Sequence, residues 1–146
     1  KIIEHTITRF VVENNIDTSL KTLLEEKLKA KGYYLCEIIE KYNTVKKEQR
    51  IKDCLPDHNF EFIIATSDYV FRKPNKRIFD LALEKADLLP EDVWFIGDQF
   101  ECDIVGAQNA NIFPVWYIGA IDLPYKPTPD VLTIKTWKEL QTNLEL

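Results

Sequence analysis

The chain's patterning predicts a three-layer α/β domain with a mainly parallel sheet, on three observations. Short apolar runs alternate with segments of helical period. The central runs are almost unbroken in their apolarity, as strands covered on both faces should be. No internal repeat or low-complexity segment interrupts that order, and 146 residues suffice for one domain with a sizeable core.

The elements follow in sequence. Lys1 to Asn15 reads as a helix ending near Asn14-Asn15. Leu20, Leu23, Leu24 and Leu28 then recur at helical spacing, with Asp17 and Thr18 as caps and Gly32 as a stop, which predicts a helix over residues 18–31. Tyr33 to Ile39 reads as a strand despite Glu37, and Val45 to Leu55 as a polar helix closed by the turn-rich Leu55-Pro56-Asp57-His58-Asn59. Phe60 to Ala65 is a buried strand. Asn75 to Ala86 is a helix whose apolar face is Ile78, Phe79, Ala82, Leu83 and Ala86. Val93 to Ile96 is a strand, Glu101 to Ala110 a helix, Phe113 to Ile118 a strand, Val131 to Ile134 a short strand and Trp137 to Leu144 a helix. The proline-rich stretch Leu123 to Pro129 is too short to separate domains.

Composition narrows the function classes. Hydrophobic residues at 45% and charged residues at 29% describe an ordinary soluble globular chain. Nineteen basic against twenty-four acidic residues, a net charge of -5, disfavour nucleic acid and anionic membrane as partners. They leave a small phosphorylated substrate open, since local groups override the global field. No apolar run approaches a membrane-spanning length, and Lys1-Ile2-Ile3-Glu4-His5 lacks the apolar stretch of a signal peptide, so a cytoplasmic location is the expectation. Cys36, Cys54 and Cys102 are widely spaced without a C-x-x-C pair and read as structural thiols. Two histidines, His5 and His58, argue against a zinc centre.

Two phrases carry the chemistry. Asp98, at the exit of the strand Val93–Ile96, and Asp103, five residues on, are two carboxylates at the carboxyl edge of the sheet, where open α/β folds bind ligands. Placed together they are unfavourable without a cation, and oxygen donors suit Mg²⁺. Helix capping by Asp98, with Asp103 or Glu101 favouring the helix dipole, is the competing reading. Lys73 precedes Pro74, which biases it toward an extended backbone, and Pro74-Asn75 opens the next helix. Its ammonium suits a phosphoryl group, and a solvated lysine beside Arg72, Lys76 and Arg77 is the alternative. Trp94, Trp116 and Tyr117 read as core.

Taken together, strand, Lys73-Pro74, amphipathic helix, apolar strand, Gly97-Asp98-x-x-x-x-Asp103 and helix with Gly106-Ala107 resemble the carboxyl-terminal half of the haloacid dehalogenase-like (HAD) hydrolase superfamily. Lys73 matches its third motif, and Asp98 with Asp103 its fourth. The run Glu61 to Pro74 is similar to the family's approach to that lysine, and Phe113 to Tyr117 to its following strand. The resemblance covers about Phe60 to Leu140 and implies a Rossmann-like core. It also implies Mg²⁺-dependent hydrolysis of a small phosphate monoester through an aspartyl-phosphate. Lys73, Asp98 and Asp103 would then be catalytic, Lys73 would also bind substrate, and Asp98 and Asp103 would hold the metal, Asp98 directly and Asp103 through water or Lys73.

The family's first motif, D-x-D-x-T/V, is absent: no D-x-D occurs in the 146 residues. The second-motif hydroxyl falls near Ile38–Thr44, where Thr44 is the candidate substrate contact. The start at Lys1 and the lack of Met suggest a fragment. On that reading residues 1–17 are a remnant of a helical cap, and residues 18–146 are the core without its first strand. The alternatives are a non-catalytic binding or scaffold module that has lost its nucleophile, and a haloacid dehalogenase.

Overall fold

The computed structural model describes residues 2–5, 24, 26–31, 35–39, 60–119, 125–126 and 128–144. Within them the backbone forms six strands: β1 (Ile2–His5), β2 (Leu35–Ile39), β3 (Phe60–Ala65), β4 (Trp94–Gly97), β5 (Phe113–Tyr117) and β6 (Leu132–Ile134). All five pairings are parallel, and the sheet order is β3-β2-β1-β4-β5-β6. The described helices are α1 (residues 24 and 26–30), α2 (Lys76–Ala86), α3 (Gly106–Asn109) and α4 (Trp137–Asn143).

Strand order explains where a ligand can bind. The chain runs outward from β1 through β2 to β3, then returns to lay β4 against the other side of β1. In open α/β sheets the connections on either side of such a reversal diverge and leave a ligand-binding crevice outside the carboxyl ends of the strands, which here are those of β1 and β4.

Two apolar clusters make the three layers. Ile64 of β3 and Phe95 of β4 pack with Ile78, Phe79, Ala82 and Leu83 of α2 and Ala107 of α3. On the opposite face Ile96, Val115, Tyr117 and Ile134 pack with Leu24 and Leu28 of α1 and Trp137 and Leu140 of α4. Phe95 and Ile96 are neighbours facing opposite layers, which is the period-2 alternation of a doubly covered strand. Phe79 and Phe95 meet edge to face at 5.0 Å and are fully buried, joining α2 to the sheet.

The ends of α2 and the start of α4 have local causes. Asn75 caps α2, its side chain accepting from the Arg77 amide at 3.0 Å. The helix stops at Asp87, which takes a left-handed conformation (φ 54°) while the Leu88 amide donates to the Leu83 carbonyl. Thr136 caps α4 by accepting from the Glu139 amide at 3.2 Å. Among the described residues no helix is long and apolar enough to cross a membrane.

Three expectations change. Residues 2–5 are not helix: Ile2–His5 pairs with both β2 and β4, so these residues belong to the middle of the sheet and not to a cap remnant. The short apolar start was ambiguous between helix and strand by period alone, and pairing on both edges decides it. The sheet accordingly includes a strand ahead of residue 18, and residues 6–17 lie outside the described residues. The helix expected from Glu101 begins instead as a π-helical turn, Phe100–Val105, before the short α3. The helix expected over Val45–Leu55 and the candidate Thr44 lie outside the described residues.

Candidate functional site

Lys73, Asp98 and Asp103 come together at the carboxyl edge of β4. Lys73 follows the loop that leaves β3, and a cis peptide joins it to Pro74. It is 4% exposed, while Arg72, Lys76 and Arg77 beside it are exposed. The reading of Lys73 as one member of a solvated basic cluster therefore fails, whereas it holds for Lys76, which forms an exposed bridge to Asp80 at 2.7 Å.

The partner of Lys73 is Asp103: Nζ donates to Oδ1 at 2.6 Å, with the two side chains 1% and 0% exposed. The Phe95 ring lies beneath the ammonium, 5.8 Å from Nζ to the ring centre, adding a cation–π contact. The other Asp103 oxygen, Oδ2, accepts the Asp98 amide at 3.1 Å and the Gln99 amide at 2.9 Å. One buried carboxylate thus ties together a lysine from the β3–α2 loop and two amides of the β4 exit. A buried anion is tolerated when it is paired and hydrogen-bonded in this way.

The wide π-helical turn swings Asp103 back under the loop it follows, its own amide donating to the Gln99 carbonyl at 2.7 Å. Such turns concentrate at functional positions. Gly97 makes room for it. A Cβ at residue 97 would lie 2.3 Å from the Asp103 Cβ and 2.5 Å from Oδ2, so only glycine fits.

Asp98 directly follows β4 at the carboxyl edge of the sheet. The residue is 8% exposed, and its Oδ1 is shielded from solvent. Its carbonyl accepts the indole N–H of Trp116 from β5 at 2.9 Å. Sequence reading assigned Trp116 to the core and missed this contact, although a buried indole N–H calls for an acceptor. The adjacent strand exit was the signal available.

No group of three or more metal-ligating side chains occurs among the described residues. The donor chemistry nonetheless suits a hard cation. Mg²⁺ needs only one or two carboxylates and retains water and substrate oxygens for its remaining positions. Asp98 offers one such carboxylate at the end of β4, beside the reversal of strand order where open α/β sheets commonly bind ligands. Thr66, buried at the end of β3, adds a hydroxyl near the start of the Lys73 loop. A cavity of about 400 Å³ lined by Leu83, Glu84, Asp87, Leu88, Leu89 and Asp92 lies at the far end of α2 and includes none of these three residues.

Comparison with known proteins places the fold in a family. The family model described as haloacid dehalogenase-like hydrolase matches residues 5–117. A glyceraldehyde 3-phosphate phosphatase from Pyrococcus furiosus is 31% identical over 133 residues, covering 88% of this chain and 54% of that protein. Its namesake from Methanothermobacter thermautotrophicus is 32% identical over 104 residues, covering 71% of this chain and 45% of that protein. The chain therefore spans about half the length of the curated relatives it matches. Among solved structures, the Bacillus subtilis HAD-hydrolase YfnB, bound to magnesium, superposes with a TM-score of 0.74 at 25% identity. That match covers 95% of this chain and 60% of that one. With a family model spanning most of its residues, the chain belongs to the haloacid dehalogenase-like hydrolases.

Proposed function

We propose that this chain supplies the metal and phosphate half of a Mg²⁺-dependent phosphatase acting on a small phosphate monoester. The observation that carries the reading is the convergence of Lys73, Asp103 and the Asp98 loop at the crevice between β1 and β4. The relatives' name, glyceraldehyde 3-phosphate phosphatase, supports a small phosphorylated substrate.

The residues divide the work. Asp98 is the direct metal ligand. Mg²⁺, when bound, neutralises charge on the phosphoryl oxygens. Lys73 directs its ammonium toward the same charge and toward the nucleophile it serves. Asp103 keeps Lys73 oriented and the Asp98 loop closed. Both of its oxygens accept from protein donors, so direct metal ligation is assigned to Asp98 alone. Thr44, downstream of β2, is the hydroxyl proposed to meet a phosphate oxygen. In the full reaction the phosphoryl group passes to an aspartate and then to water. No D-x-D occurs among these 146 residues, so that aspartate is not assigned here.

The test uses the complete protein and a generic aryl phosphate. Asp98→Asn should abolish Mg²⁺-dependent hydrolysis while leaving the fold intact by circular dichroism. Full activity in that variant would show the metal assignment to be wrong.

A second reading, a binding module without turnover, is favoured by one feature. The strand beside β4 reads Ile2-Ile3-Glu4-His5, followed by Thr6, with no aspartate. Mg²⁺ and inorganic phosphate binding by the complete protein without hydrolysis would select it.

A further inference from the structure

Trp116 has no place in the chemistry above, yet it touches the metal loop directly. It stands on β5, the strand next to β4, and is 6% exposed. Its indole N–H donates to the backbone carbonyl of Asp98 at 2.9 Å, eighteen residues away in the chain. The ring is fixed on two sides. Phe100, from the π-helical turn, meets it edge to face at 4.9 Å. Tyr125, beyond the end of β5, does the same at 5.6 Å. Ile104, Ile118 and Val131 complete the apolar surround.

We infer that Trp116 is a positioning residue for the metal site: its indole N–H fixes the Asp98 peptide, and through it the direction of the carboxylate. The inference rests on the reading of Asp98 as metal ligand. The Asp98–Gln99 loop is otherwise tied from below, its two amides donating to Asp103 Oδ2. Those bonds hold the two N–H groups, the Asp103 amide holds the Gln99 carbonyl at 2.7 Å, and Trp116 holds the Asp98 carbonyl. A peptide plane held on both sides resists rotation, which narrows the directions the Asp98 side chain can take from its Cα. Hydrogen-bond partners one step removed from a metal act in this way, by reducing the orientations its ligand can sample. The aromatic brace links the site to Tyr125.

The test replaces Trp116 with its isostere 3-benzothienylalanine, which keeps the ring and lacks the N–H. Trp116→Phe serves as an encoded second variant. Trp94→Phe is the control, since Trp94 stacks on Phe113 at 4.7 Å at the opposite end of β4. Two readouts are taken on the metal-free and Mg²⁺-titrated protein: amide hydrogen exchange at Asp98 and Gln99, and the calorimetric Mg²⁺ affinity. Losing the N–H should speed exchange at both amides and weaken Mg²⁺ binding about tenfold. The melting temperature should stay close to that of the parent, and Trp94→Phe should change neither readout. Unchanged exchange or unchanged affinity in the isostere overturns the inference, as does an equal loss in Trp94→Phe. Failure of the unaltered protein to bind Mg²⁺ sinks the metal reading itself, a result distinct from unaltered binding in the isostere.

Discussion

Lys73 Nζ and Asp103 Oδ1 sit 2.6 Å apart, thirty residues apart in the chain, with both side chains out of reach of water. Neither charge would be stable there alone. Asp103 carries the larger share of the structure because it also accepts the amides of Asp98 and Gln99. This asymmetry makes the pair an experiment in itself.

Removing the carboxylate should be worse than removing the ammonium. Asp103→Ala strands a buried lysine and two amides, and a loss of about 3–5 kcal/mol is expected. Lys73→Met leaves an anion still held by two N–H donors, so a smaller loss is expected. Urea melts of both variants check the order, and the reverse order would show that the two amide bonds contribute little.

Gly97→Ala should destabilise the fold by about 1–3 kcal/mol and weaken Mg²⁺ binding as well, because overpacking here displaces Asp103. The new methyl would overlap the Asp103 side chain at 2.3–2.5 Å. Gly106 is under similar pressure from the Phe79 ring at 2.6 Å, but lies between α3 and α2. Gly106→Ala should therefore lower stability while changing Mg²⁺ affinity much less. Thermal melts with calorimetry in parallel separate the two effects.

Burial pushes the Tyr117 phenol above its ordinary value of 10. The folded protein then holds that proton more tightly than the unfolded chain does. The sign follows: the stabilisation is complete below pH 10 and is lost as pH rises through the raised value. Tyr117→Phe keeps the stack on Trp137, whose ring centre is 4.7 Å away at 11°. It should flatten that alkaline decline in denaturant melts taken on either side of pH 10.

Asn75→Ala removes the cap of α2 at an exposed position, and a loss of about 0.5–2 kcal/mol is expected. Mg²⁺ affinity should not move, since the cap's bond is local, to the Arg77 amide two residues on. A changed affinity would mean that the start of α2 transmits to Lys73.

Local patterning alone determined much of this protein. Phe60–Ala65 was readable to the residue, and α2 to within one, because apolar period, an asparagine cap and a following turn agree at the same boundaries. Lys73, Asp98 and Asp103 were readable as candidates only through their joint pattern and the family it resembles, since each alone left a bland alternative open. What local pattern could not decide was any relation requiring partners distant in the chain. Ile2–His5 became a central strand only because β2 and β4 pair with its two edges. Lys73 became buried, and Trp116 became a partner of Asp98, only because neighbouring strands bring their ends to one rim. Spacing fixes which face a side chain occupies; which distant group meets it there is settled by packing across the sheet.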